Sequence, residues 1–338
     1  ADTAADDAEA RRPVVLFLHG WPESWFSWRH QLCAVRAAGC RGIAPDMRGF
    51  GGTDVPAHYA SYTVYSLAGD MLALLQHLGV ASVALVGHDH GANLGWKLTA
   101  LHPASFGCYC ALSVPYAGRP KNPPLERLRS KFGDEREAPA KDARFNYQLH
   151  HQLVDAAAAY DANPRAALLA LLHESRAPAD ADPAPVTSRQ LYVDGVAEPS
   201  WRRVPQPRAP PHWLPDADFA YLRSEYERHG FEGGLNWYRV FNLDWHATPQ
   251  LETLKLVPPV AFIGGSLDPI LRWFGGADGV GSRLAQACVQ PPEVHLVEAG
   301  HWIQQEQPAR VNELLLAFLE KHRARFARAA PRHVQSKL

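Results

Sequence analysis

Residues 83–92, VALVGHDHGA, constrain this chain more than any other stretch. Val83, Ala84, Leu85 and Val86 form an unbroken apolar run, which predicts a short strand buried on both faces. Gly87 and Gly91 then bracket His88, Asp89 and His90, and Ala92, Leu94, Trp96 and Leu98 lead into a helix that Pro103 stops. A strand that gives way to a helix within so few residues makes so sharp a turn that side chains at the two glycine positions would clash. The turn also pushes its middle residue outward at the top of a sheet, with a helix N-terminus behind it to favour negative charge. Asp89 occupies that position.

An aspartate there narrows the chemistry. A serine needs a base to become nucleophilic and typically attacks acyl carbon. A carboxylate is already ionised near pH 7 and suits displacement at a saturated carbon. Attack leaves an alkyl ester on the protein, which water can later cleave at the carboxyl carbon. Taken alone, Asp89 also fits the lesser reading of a helix cap, and the remaining motifs decide between the two.

The rest of the chain supplies a sheet. With 338 residues, 46% of them apolar, it can bury a large core as one α/β domain with an insertion, or as two domains. Pro13 to Leu18 is a buried-type strand that runs into His19-Gly20-Trp21-Pro22-Glu23-Ser24, a loop able to aim the backbone N–H of Trp21 at the Asp89 ester oxygen. A helix over about residues 25–37 precedes a second strand at Gly42 to Asp46. The glycine-rich turn from Asp46 to Asp54 lacks the layout of a phosphate cradle and is expected to be a tight loop pinned by Asp–Arg contacts. Val64, Leu67, Met71, Leu74 and Leu78 keep helical spacing up to Gly79. Further strands are expected near Cys108 to Val114, Val257 to Ile263 and Glu293 to Val297. A helix through Val311, Leu314, Leu315 and Phe318 closes the fold. Strands alternating with helices through short links predict a parallel, doubly wound sheet.

Between about Tyr116 and Gln250 the pattern changes. Asn163-Pro164 opens one helix and Asp216 another, which Gly230 closes, with a long Pro-, Ala- and Asp-rich loop over 177–215 between them. The expected organisation is a disordered lead or cut edge (1–12), a first core part (13–116), a mostly helical cap over the C-terminal edge of the sheet (117–250), a second core part (251–328) and a tail (329–338).

Composition excludes several classes. A formal net charge of -1 makes no electrostatic case for nucleic acid or anionic membranes. No apolar run approaches spanning length, so a soluble protein without membrane insertion is expected. Five cysteines, Cys33, Cys40, Cys108, Cys110 and Cys288, have no zinc spacing and point to a reducing intracellular compartment. His88-x-His90 near His19 and His301 lacks any metal-hydrolase pattern, and alternating histidines do not converge on one ion. The terminal Ser336-Lys337-Leu338 matches the peroxisomal address, so the import receptor is an expected partner, the peroxisome or cytoplasm the expected location and a eukaryote the expected source.

Asp89, Asp268 and His301 follow predicted strands in the order nucleophile, acid, histidine, which is the chain order of the α/β-hydrolase triad. His301 would deprotonate water in the second half of the reaction, with Asp268 holding its tautomer. The backbone N–H groups of Trp21 and His90 would receive the oxyanion. The chain resembles the soluble (cytosolic-type) epoxide hydrolases, the Asp-nucleophile branch of that fold, over nearly all of residues 13 to about 320. The matching stretches are HGWPESWFSWRHQ (19–31), DMRGFGGTD (46–54), GHDHGA (87–92), FNYQLHHQ (145–152), GGLNWYR (233–239), LDP (267–269) and AGHW (299–302).

The resemblance implies that Tyr147 and Tyr238 project from the cap and hydrogen-bond the oxygen of an epoxide, expected here to be of lipid or aryl type. It implies a pocket of Trp21, Pro22, His90, Trp237 and Trp302, with water as co-substrate, a vicinal diol as product and no cofactor. The chain departs from the family in two places. Trp usually follows the nucleophile where this chain has His90, which makes the pocket floor more polar. Two strands usually precede the one at Pro13. A haloalkane dehalogenase shares the nucleophile and the ester but needs side-chain N–H donors for halide, typically that Trp. In fluoroacetate-type dehalogenases Arg follows the nucleophile. A ligand receptor on a retired hydrolase scaffold would need neither triad nor tyrosines.

Overall fold

Six strands pair side by side in the order β2–β1–β3–β4–β5–β6, and all five pairings are parallel. They are β1 (Val14–Leu18), β2 (Arg41–Ile43), β3 (Val83–His88), β4 (Phe106–Leu112), β5 (Val260–Gly265) and β6 (Glu293–Val297). The structure is a computed structural model and describes residues 1–133, 146–173 and 207–327. The doubly wound α/β class expected from the alternating pattern is therefore the one observed.

Period-two alternation splits the core cleanly between the two faces of this sheet. Val14, Leu16, Leu18, Val83 and Leu85 join one cluster with Leu67 and Met71 of a helix at Val64–His77 and with Leu94 and Leu98 of a helix at His90–Leu101. Val15, Phe17, Ala84, Val86, Cys108 and Cys110 join the other, with Leu32 and Val35 of a helix at Arg29–Ala37 and Val311, Leu315 and Phe318 of the closing helix at Pro308–Lys321. Cys108 and Cys110 thus share a face, and all five cysteines are free thiols.

One expectation is corrected. The lead is ordered instead of disordered. Asp2 bridges antiparallel to Ile43, the Thr3 N–H donates to the Gly42 carbonyl (3.0 Å), and Asp7–Ala10 forms a helical turn. The cause is Arg41, a guanidinium 8% exposed at the outer strand, which needs an anion: Asp2 supplies it, with Nε donating to Oδ1 at 3.0 Å. Composition alone gives no sign of that demand. The glycine-rich turn is held by an Asp–Arg contact as expected, Arg48 pairing with Asp70 on the Val64–His77 helix. Asp46 pins that turn by accepting the N–H groups of Trp25 and Gly52, both at 3.0 Å.

The chain between β4 and β5 carries helices at Pro124–Phe132, Tyr147–His150, Ala156–Asp161, Pro164–His173, Asp216–His229, Glu232–Arg239 and Phe241–Ala247. Asn163 Oδ1 accepts the Ala166 N–H at the start of one, and Gly230 with φ 71° ends another. This insertion is bolted to the core. Asp244 accepts the Val64 N–H at 2.8 Å and pairs with Lys97 at 3.1 Å, and Arg29 pairs with Asp218 at 2.9 Å. Of the expected irregular loop over 177–215, residues 177–206 lie outside the described residues, and 207–215 contain no helix. Among the described residues no helix is long and apolar enough to cross a membrane.

Candidate active site

The turn after β3 is as tight as its glycines imply. A Cβ on Gly87 would lie 2.5 Å from the Gly91 carbonyl oxygen, and one on Gly91 would lie 2.0 Å from that of Leu18. Asp89 at the apex has φ 50°, ψ -117°, a conformation that costs a non-glycine residue energy and recurs at functional sites. It occupies the N-cap position of the following helix but makes no side-chain cap bond. Its Oδ1 instead accepts the backbone N–H of Trp21 (2.9 Å), from the loop after β1. Its Oδ2 faces His301 Nε2 at 3.4 Å. Helix capping therefore does not explain this aspartate.

His301 stands in the loop after β6, and its Nδ1 lies 2.8 Å from Oδ2 of Asp268, in the loop after β5. Asp268 is 1% exposed, and its Oδ1 accepts the Ile270 N–H at 2.9 Å, so its orientation is fixed. Parallel strands deliver all these loops to one edge of the sheet. Burial alone would push the His301 imidazole down, but Asp268 and then Asp89 outweigh it and raise it well above its ordinary value. Burial likewise opposes ionisation of Asp89, yet the His301 hydrogen bond and the surrounding histidines hold it below the usual carboxylate range. At rest, His301 and Asp89 form an ion pair.

The insertion brings Tyr147 and Tyr238 together, with ring centroids 5.8 Å apart and nearly perpendicular. Tyr238, 4% exposed, meets His90 edge-on at 4.3 Å, His151 at 4.5 Å and Trp21 at 5.9 Å. Burial, with the neighbouring Tyr147 and Asp89, raises its phenol well above the ordinary value, so it stays a donor. Tyr147 Oη accepts from Gln148 Nε2 at 3.0 Å.

The other expected pocket residues are distributed unevenly. The Trp21 ring turns to the insertion, against Tyr160 and Phe231 as well as Tyr238, and Pro22 follows it in buried chain. Trp237 donates its indole N–H to the Arg48 carbonyl (3.0 Å) and borders His90 at 5.7 Å. Trp302 packs on the rings of His301 (4.8 Å) and His88 (5.5 Å). Burial lowers the His90 imidazole, so it is neutral, and its Nε2 finds no hydrogen-bond partner among the described residues. Along the seam of core and insertion runs a cavity of about 250 Å³, lined in part by Trp96, Tyr116, Arg119, Phe241 and Trp245.

Sequence reasoning gave no role to Glu23, His88, Ser113, Gln304 or Glu306, which are nevertheless buried around His301. The available signal was two ionisable residues, Glu23 and His88, inside otherwise apolar or glycine-rich loops. His88 and His90 point to different partners: Glu23 lies 2.7 Å from His88 Nδ1, whereas His90 meets Tyr238.

Residues 13–308 match a family described as the alpha/beta hydrolase fold. The chain is 36% identical over 315 residues to Epoxide hydrolase A of Mycobacterium tuberculosis, covering 92% of this chain and 91% of that protein. It is 34% identical to Epoxide hydrolase 3 of Siraitia grosvenorii, over 91% of this chain and 92% of that one. Among solved structures, Epoxide Hydrolase A from Mycobacterium thermoresistibile superposes with a TM-score of 0.82 at 33% identity, covering 94% of this chain and 93% of its own.

Proposed function

This chain belongs to the α/β-hydrolase fold family and, within it, to the epoxide hydrolases; from that premise we propose that it opens an epoxide through an alkyl ester on Asp89. The observation that carries the mechanism is the sharing of one imidazole between two carboxylates, His301 between Asp89 and Asp268. Oδ1 of Asp89 is held by the Trp21 N–H, so Oδ2 attacks a ring carbon. The carbon–oxygen bond breaks, and of the two phenols, Tyr147 and Tyr238, one protonates the departing oxygen while the other hydrogen-bonds it, which a strained ether needs in order to leave.

Esterification removes the charge of Asp89 and with it one of the two partners that raise His301. His301 then sheds its proton, which restores the phenol through solvent, and becomes a base. It takes a proton from water, and the hydroxide adds to the ester carbon. The oxyanion at Oδ1 sits on the N–H groups of Trp21 and His90. Collapse breaks the acyl–oxygen bond, and His301 returns its proton to the diol. Every step uses side chains, backbone and water of this site, with no cofactor.

The test is turnover of an aryl epoxide such as styrene oxide in H2-18O. A single turnover should give diol carrying one oxygen from Asp89, and repeated turnovers should place the heavy isotope in Asp89. Release of halide from a chloroalkane, with no diol from any epoxide, would transfer the chain to the dehalogenases. Tyr147→Phe and Tyr238→Phe should each lower ester formation, and the double variant should lower it by about 10²- to 10⁴-fold. Rapid-quench measurement of the ester checks this, and an undiminished rate in the double variant would remove both phenols from the mechanism.

The rings of Trp21, Tyr238 and Trp237 packed around the reacting groups support a substrate with an aryl or lipid substituent. We further propose that Ser336-Lys337-Leu338, outside the described residues, binds the peroxisomal import receptor. Fused to the C-terminus of a fluorescent protein, residues 328–338 should direct it to peroxisomes, and removing Leu338 should leave it in the cytosol. Cytosolic fluorescence from the intact fusion would end that proposal.

A further inference from the structure

One buried carboxylate reaches all three loops that carry the reacting groups. Glu23 is 2% exposed. Its Oε2 accepts the Gly20 N–H at 2.8 Å, in the loop that holds the Trp21 donor. The same oxygen lies 2.7 Å from Nδ1 of His88, the residue before Asp89. Its Oε1 accepts from Gln304 Nε2 at 2.8 Å, three residues past His301.

His88, 0% exposed, passes the link on, because its Nε2 lies 2.8 Å from the backbone carbonyl oxygen of His301. A carbonyl only accepts, so Nε2 carries the hydrogen and Nδ1 shares its proton with Glu23. Ser113 Oγ donates to the same carbonyl at 2.6 Å. Glu306 accepts the flanking N–H groups of Gly300 (2.9 Å) and Trp302 (3.0 Å). The backbone around His301 is thus held at both its donors and its acceptor.

We infer that Glu23 and His88 are positioning residues for the hydrolytic half of the reaction, fixing the His301 backbone so that its imidazole stays aimed when Asp89 no longer holds it. This rests on the ester mechanism proposed above. While Asp89 is ionised, His301 is gripped at both ring nitrogens. Once Asp89 is an ester, the charge that held Nε2 is gone, and aim depends on Asp268 and on the backbone. Burying a carboxylate against an imidazole is also a poor way to gain stability, since an apolar pair of similar volume is often as stable or more so. Positioning accounts for a pair that stability does not.

The test separates the two half-reactions by rapid quench in His88→Leu, His88→Gln and Glu23→Gln, beside the native protein. In His88→Leu, ester hydrolysis should slow by about 10- to 100-fold, the scale of an ångström-sized misplacement. Ester formation should fall much less, so the ester accumulates and KM drops together with kcat. His88→Gln, whose amide N–H can reach the His301 carbonyl, should recover most of the hydrolysis rate. Glu23→Gln should fall between them and supplies the same comparison if His88→Leu does not fold. Equal slowing of both steps, or an unchanged hydrolysis rate in folded His88→Leu or, where that variant does not fold, in Glu23→Gln, overturns the inference. If the native protein forms diol without any ester, the mechanism beneath it fails instead.

Discussion

His301→Gln is expected to turn the protein from a catalyst into a trap. The substitution removes the base facing Asp89 Oδ2 but leaves the carboxylate and the Trp21 N–H in place. Alkylation should proceed, hydrolysis should slow by on the order of 10³-fold or more, and intact-protein mass should rise by one substrate. Acid should reproduce part of this in the native protein. Asp89 is held below the usual carboxylate range, so it remains a nucleophile as pH falls. In the ester, His301 keeps Asp268 but loses Asp89, so its affinity for protons lies below that of the resting state. As pH falls through that lowered value, His301 holds a proton and cannot accept one from water. Ester should therefore build up at acid pH and clear when pH is raised. An His301→Gln protein that forms no adduct yet remains folded would refute the division of labour between Asp89 and His301.

Asp89→Ala should abolish turnover, with kcat down by about 10⁴-fold or more and no adduct at any pH. Among the described residues, no neighbouring carboxylate can substitute. Asp268 is 1% exposed and committed to His301 and to the Ile270 N–H, and Glu23 is committed to Gly20, His88 and Gln304. Residual diol above background, measured by chromatography after extended incubation, would place the nucleophile elsewhere.

Much of this arrangement is legible in the chain because parallel strands impose it. Asp89, Asp268 and His301 each follow a strand, and strands running one way bring their C-terminal loops to one edge whatever lies between them in sequence. The glycines at 87 and 91 were legible for the same kind of reason, since backbone contact leaves only one residue type. Tyr147 and Tyr238 were not distinguishable from nine other tyrosines by spacing, because the insertion has no repeating rule, and only the resemblance singled them out. The ordered lead and the Glu23–His88 link were invisible for a different cause. Each answers a demand made by one buried charge on a residue distant in sequence, Arg41 on Asp2 and Glu23 on His88. Local pattern can flag an ionisable residue in an apolar stretch, as at Glu23 and His88, but it does not name the partner.

An imidazole shared by two carboxylates also works as an interlock. In the mechanism proposed above, the base is occupied by the nucleophile itself before substrate reacts, so no hydroxide is generated while there is nothing to hydrolyse. The first chemical event of that mechanism discharges one arm of the share and thereby arms the second. On that proposal, order is kept by charge.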